Sequence, residues 1–112
     1  MKTNALSNGP KTLKDAQSLA VQAENSYKAR KYEEAINNYK TVVYAFPRES
    51  FGYNSAYNIA CCYSILGDKE NGCIWLAVAF KNGFARYDQV RKDSDLDSIR
   101  SEPRYKALLQ GR

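Results

Sequence analysis

Tyr57-Asn58-Ile59-Ala60-Cys61-Cys62-Tyr63-Ser64-Ile65-Leu66-Gly67-Asp68 carries two readable periods in one stretch. Ala56, Ile59, Ala60, Tyr63 and Leu66 recur at steps of three and four, whereas Asn54, Tyr57, Asn58, Cys61 and Ser64 fall on the other side. That spacing predicts one helix with an apolar packing side and a polar presenting side. Gly67 ends it, because a residue without Cβ suits the left-handed conformation that follows a helix.

Working outward, the flanking segments have the same period. Upstream, Thr12 can cap a helix with Asp15 three residues on, and Leu13, Ala16, Leu19, Ala20 and Ala23 mark an apolar stripe running to about Ala29. After Arg30-Lys31, Tyr32, Ala35, Ile36, Tyr39, Val42, Val43 and Phe46 continue at helical spacing until Pro47 forbids extension. Pro47 to Gly52 reads as a turn, and the central helix as about Tyr53 to Leu66. A fourth helix follows from about Lys69 to Asn82, closed by Gly83. The connections are too short for anything but antiparallel neighbours. Further on, Phe84 to Arg91 can form two turns, Ser94-Asp95-Leu96-Asp97 a cap and brief turn, and Pro103 suits the first turn of a last helix with Tyr105, Leu108 and Leu109 on one side.

The expected fold is all-α, with a flexible arm over residues 1–11 and a single domain over 12–112. Within that domain stand a hairpin at 12–46, a hairpin at 53–82 and a capping segment at 84–110 that covers the apolar edge of the second hairpin.

Composition narrows the function. A chain of 112 residues with 44% hydrophobic content can bury a core without metals or disulfides, and no apolar run approaches the roughly 20 residues of a membrane span. The net charge of +5 favours an acidic partner, but the basic residues are interleaved with acids, as in Lys28, Arg30 and Lys31 followed by Glu33 and Glu34. With no readout motif, nucleic-acid binding is not expected. The three cysteines, Cys61, Cys62 and Cys73, are odd in number and lack C-x-x-C spacing, and the chain has no histidine. They read as small core residues in a reducing compartment, with no metal and no cofactor. Met1 to Gly9 shows no targeting pattern. Without histidine or a glycine-rich phosphate loop, and with Asp93, Asp95 and Asp97 placed as helix caps, no enzyme activity and no small-molecule substrate are expected.

The two hairpins are also related to each other. Tyr32-Glu33-Glu34-Ala35-Ile36 answers to Lys69-Glu70-Asn71-Gly72-Cys73 at an offset of 37 residues, and small residues recur as Ala23 with Ala35 and Ala60 with Gly72. Over residues 16 to 83 the chain resembles a tetratricopeptide-repeat (TPR) protein, whose period is about 34 residues. The matching positions are Leu19, Ala23, Tyr32, Ala35, Tyr39, Val42 and Pro47, then Ile59, Ala60, Tyr63, Gly67, Asp68, Leu76 and Ala79. Gly72 stands where alanine is usual and Gln22 where leucine is. The segments Tyr57 to Ser64, Gly83-Phe84 and Arg91 to Arg100 are similar to the C-terminal TPR region of a plastid thylakoid protein implicated in photosystem II assembly, which has a separate PDZ domain.

The resemblance implies a right-handed superhelix of hairpins with a C-terminal capping helix. It also implies a concave groove built by the first helix of each pair, made here of Glu24, Tyr27 and Lys28 with Asn54, Tyr57, Asn58, Cys61 and Ser64, beside Gln17 and Ala20. The partner would be a protein or peptide, as part of an assembly or attachment factor at the thylakoid surface of a plastid, with peripheral membrane association allowed. A generic TPR adaptor or co-chaperone-like scaffold is the alternative. The carboxylate clamp of chaperone-binding members is not matched, since only Asn58 falls at a clamp position, and Ala20 and Glu24 replace its first lysine and asparagine.

Overall fold

A computed structural model describes residues 10–112, so most of the expected N-terminal arm lies outside the described residues. Six α-helices follow in order: α1 Leu13–Lys28, α2 Tyr32–Ala45, α3 Ser50–Ile65, α4 Lys69–Asn82, α5 Tyr87–Lys92 and α6 Pro103–Leu109, with a 3-10 helix, Ser94–Ile99, between α5 and α6. The described residues contain no strand. Each of α1 to α4 packs on its neighbour in sequence, giving an all-α stack of antiparallel hairpins.

The boundaries have local chemical causes. The Thr12 hydroxyl accepts from the Asp15 N–H at 3.1 Å, and the Asp68 carboxylate does the same for the Asn71 N–H at 3.1 Å. Arg30, with φ of 63°, turns the chain from α1 into α2. Gly67 and Gly83 adopt φ of 82° and 130° after α3 and α4, the conformation that glycine enters at least cost. Pro103 occupies the first turn of α6, where its missing N–H would have gone unpaired.

Two expectations are corrected here. The central helix begins at Ser50, not near Tyr53, so the turn after Pro47 is shorter than its composition suggests. Gly52 is therefore a helical residue. A Cβ placed on it would stand 1.8 Å from the Phe46 carbonyl oxygen, so the glycine is required by close backbone approach. The second correction concerns the faces of α3. Buried residues run around almost its whole circumference, including Ser55, Tyr57, Cys61 and Ser64, while Leu66, expected on the packing side, is 45% exposed. The period identifies a helix, but most of the side expected to face outward is covered as well, Asn54 and Asn58 excepted.

What covers the second side is the segment after α4. Phe84, Val90, Leu96 and Ile99 belong to the core, and the 3-10 helix lies against α3 and, less extensively, α4. The tail thus caps the inner face of α3 as well as the edge of the second hairpin. Gly72 contributes to this fit, because a Cβ there would meet Ile99 Cγ2 at 3.2 Å and the Ala60 carbonyl oxygen at 3.6 Å. The departure from alanine makes room for Ile99, offsetting the roughly 1 kcal/mol of helix propensity that glycine forfeits.

Replacing Gly52 by Ala should lower unfolding stability by more than about 2 kcal/mol, since the clash is with backbone and no rotamer relieves it. Urea denaturation followed by circular dichroism reads the shift, and a change within about 0.5 kcal/mol would remove the close approach as the reason for the glycine.

Candidate functional site

The fold separates the eight residues expected to form one groove: some bind the C-terminal segment, some line an accessible cleft, Tyr57 does both and Lys28 neither. Tyr57, Cys61 and Ser64 are buried and bonded to the C-terminal segment. Tyr57 stacks on Phe84 with ring centroids 4.3 Å apart and an interplanar angle of 11°, and its hydroxyl donates to Asp93 Oδ2 at 2.5 Å. The Cys61 Sγ lies 3.8 Å from the same carboxylate oxygen. Ser64 Oγ is 2.9 Å from Ser98 Oγ, which also donates to the Ser64 carbonyl at 2.6 Å. Tyr27, on α1, donates its hydroxyl to Asp95 and meets Tyr32 edge-on at 5.6 Å. These four side chains hold the tail; the expected place of Cys61 and Ser64 on an open groove is corrected, because the segment after α5 buries them, whereas Tyr57, though buried, still lines the cleft described below.

In the sequence, Asp93 and Asp95 read only as caps. Asp93 does cap the 3-10 helix, accepting from the Asp95 N–H at 3.0 Å, but its second oxygen takes the Tyr57 hydroxyl 36 residues away. Arg100 completes the arrangement by donating to the carbonyls of Val90, at 3.0 Å, and Asp93, and to the Tyr105 hydroxyl at 2.7 Å. Among the described residues, every buried side-chain nitrogen and oxygen has a partner.

Glu24, Asn54 and Asn58 remain accessible. They line a cleft of about 400 Å³ between α1, α3 and the start of α5, together with Gln17, Arg86 and Gln89. Lys28 is not at the cleft but pairs with Glu24 at 3.5 Å, a contact between largely exposed side chains that contributes little. Asn54 and Asn58 sit one helical turn apart on the same face of α3. The Asn54 side-chain carbonyl accepts from Arg86 Nη2 at 3.0 Å, and the Asn58 amide donates to the Tyr39 hydroxyl at 3.2 Å. Each asparagine thus has one group engaged and the opposite kind free. Asn54 keeps its N–H donors and Asn58 its carbonyl acceptor, a pair suited to the C=O and N–H of an extended backbone. Sequence reasoning missed Arg86 and Gln89, which reach the cleft only because the chain turns back after Gly83, and nothing in their local pattern marks that.

The cysteines are placed for packing. Cys61, Cys62 and Cys73 are free and buried. Burial, and then the charge of Asp93, push the Cys61 thiol well above its ordinary value, while burial, with Asp95 second, pushes Cys62 up to about 12. The phenols of Tyr27, Tyr39 and Tyr57 are raised by burial first and by neighbouring thiol and carboxylate charge after it. No group of three or more potential metal ligands occurs among the described residues.

Comparison with known proteins finds a chloroplast relative. Over 80 residues, 71% of this chain, it is 34% identical to a chloroplastic protein of Arabidopsis thaliana, and it spans 24% of that protein's length. No family model and no solved structure matches the chain. It is thus an all-helical relative, over part of its length, of a chloroplastic protein. No helix among the described residues is long and apolar enough to cross a membrane.

The raised thiols and phenols give stability a defined pH course. These groups stay neutral in the folded chain and ionise more readily once unfolded, so their contribution is complete below the unfolded cysteine value of 9.0. It is lost as pH rises toward the folded Cys62 value of about 12. The urea midpoint should hold steady from about pH 7 to about pH 8.5 and fall steadily above about pH 9, with alkylation of Cys61 and Cys62 tracking unfolding. Rapid alkylation of the native chain near neutral pH would contradict this.

Proposed function

We propose that the chain is a non-catalytic docking module of the tetratricopeptide-repeat type, holding an extended segment of a protein partner in the cleft between α1 and α3. The observation that carries this reading is the complementary pair on α3. Asn54 offers donors and Asn58 an acceptor, one turn apart, on the wall of a cleft about 400 Å³ in volume. Paired amides of this kind grip a peptide backbone with little regard to its side chains. Glu24 and Arg86 stand in the same cleft and would set charge preference at its rim.

The repeat assignment is supported by the antiparallel hairpins, the offset of 37 residues, and the fully buried small residues Ala23, Ala35 and Ala60, with Gly72 also buried. The biological setting we infer is assembly of, or attachment to, a photosynthetic complex at the thylakoid surface. Similarity to a chloroplastic protein supports that setting, as does the resemblance of Tyr57 to Ser64 and Arg91 to Arg100 to a thylakoid TPR region.

The test is calorimetric titration of the chain with synthetic peptides covering the stroma-exposed segments of thylakoid membrane complexes. At least one segment should bind, and Asn54→Ala with Asn58→Ala should weaken it by about tenfold or more, as two neutral hydrogen bonds of about 1 kcal/mol each allow. Helix content should be unchanged, and binding should survive moderate salt. Unchanged affinity in the double variant would remove the cleft as the site. Binding confined to segments of unrelated soluble proteins would keep the docking module and remove the photosynthetic setting.

A further inference from the structure

A second recess lies on the opposite side of α4 from its packing against α3. Between α4 and α6 runs a groove of about 520 Å³ floored by Cys73, Ala77, Val78 and Leu108, with Ile74 37% exposed at its margin. Ile74, Ala77, Val78 and Lys81 follow the three-and-four spacing of a helix-packing face. The neighbouring α6 has only seven residues and touches α4 sparsely, so it leaves that face incompletely covered.

The charged residues lining the groove are of one sign. Lys81 and Arg104 line it, no carboxylate does, and neither cation takes part in an ion pair among the described residues. Glu70 and Glu102 line an adjoining recess with Lys69 that shares Cys73 and Arg104 with the groove, and Glu102 lies 4.0 Å from the Lys69 ammonium. Elsewhere on this half of the chain, Asp88 and Asp97 are matched by Arg91 and Arg100.

We propose that the groove between α4 and α6 docks an acidic amphipathic helix of a protein partner. Its apolar side would seat against Ala77, Val78 and Leu108, and its flanking carboxylates would meet Lys81 and Arg104. Shape argues for a helix, because the open face of α4 has the spacing by which helices pack on helices. Charge argues against a second copy of this chain, which would bring its own net charge of +5 to a cationic rim. An anionic bilayer would satisfy the charges, but its flat surface does not reach a floor recessed between two helices. This site is separate from the cleft that carries Asn54 and Asn58, and neither reading depends on the other.

The experiment uses the full chain, isotope-labelled for nuclear magnetic resonance, and a synthetic amphipathic helix of roughly 15 residues with leucines on one face flanked by glutamates. A control peptide carries lysines in place of the glutamates. Saturable shifts at Ile74, Ala77, Val78, Ala107 and Leu108, with the residues around Asn54 and Asn58 unmoved, are expected for the acidic peptide only. Lys81→Glu with Arg104→Glu should weaken that binding by at least about tenfold and transfer preference to the lysine peptide. Both positions are exposed, and an unchanged circular dichroism spectrum confirms that the variant folds. Absence of binding, or equal binding of the two peptides, would overturn the proposal. So would shifts of the same residues on adding phosphatidylglycerol vesicles without any from the peptide, or concentration-dependent dimerisation through this face in sedimentation.

Discussion

The hydrogen bond from Tyr57 to Asp93 closes a problem that the central helix creates for itself. As the middle element of the stack, α3 is flanked by α2 and α4, and its third side carries a phenol, a thiol and a hydroxyl at Tyr57, Cys61 and Ser64. Burying those groups without partners would cost about 1–3 kcal/mol each. Asp93 and the serine of the 3-10 segment supply the partners, and Leu96 and Ile99 supply apolar cover. Two hairpins alone would leave that face open. The tail is therefore part of the core, and its position is set by side-chain bonds to α3 and α1 rather than by a long packed helix of its own.

Arg100 shows how a loop-rich segment can serve as core. Its guanidinium reaches two backbone carbonyls and the Tyr105 hydroxyl, so the carbonyls of a chain that is not helical throughout are satisfied by one rigid fork of donors. Each residue of the run Asp95-Leu96-Asp97-Ser98-Ile99-Arg100 then has a contact that accounts for it, Ser98 through Ser64. The first acid, Asp95, receives the Tyr27 hydroxyl, and the second, Asp97, accepts from Arg100. The apolar pair Leu96 and Ile99 enters the core, and the arginine binds the segment to itself.

Much of the architecture is legible in local chemistry. Thr12, Asp68, Gly67, Gly83 and Pro103 mark helix ends by mechanisms that act within a few residues, and the helices lie where those marks put them. The candidate site is only half legible. Period and polarity find Asn54 and Asn58, but the same period groups them with Tyr57, Cys61 and Ser64, whose partners lie more than 30 residues away. A polar helix face has the same pattern whether water or a returning chain satisfies it. Gly52 reads as a turn residue for a related reason: glycine is common in turns, and its actual cause, the Phe46 carbonyl, is a tertiary contact.

That contact has a mechanical side. Gly52 and Phe46 bring two backbones together at the joint between the first hairpin and α3, with no side chain between them to yield. A hinge needs slack, and here there is none. The start of α3, which brings Phe51 and Asn54 to the cleft, is held against the end of α2 at the thickness of a peptide group before any ligand arrives. A partner segment would meet that wall of the cleft already in place, so little of its binding energy would be lost to ordering it.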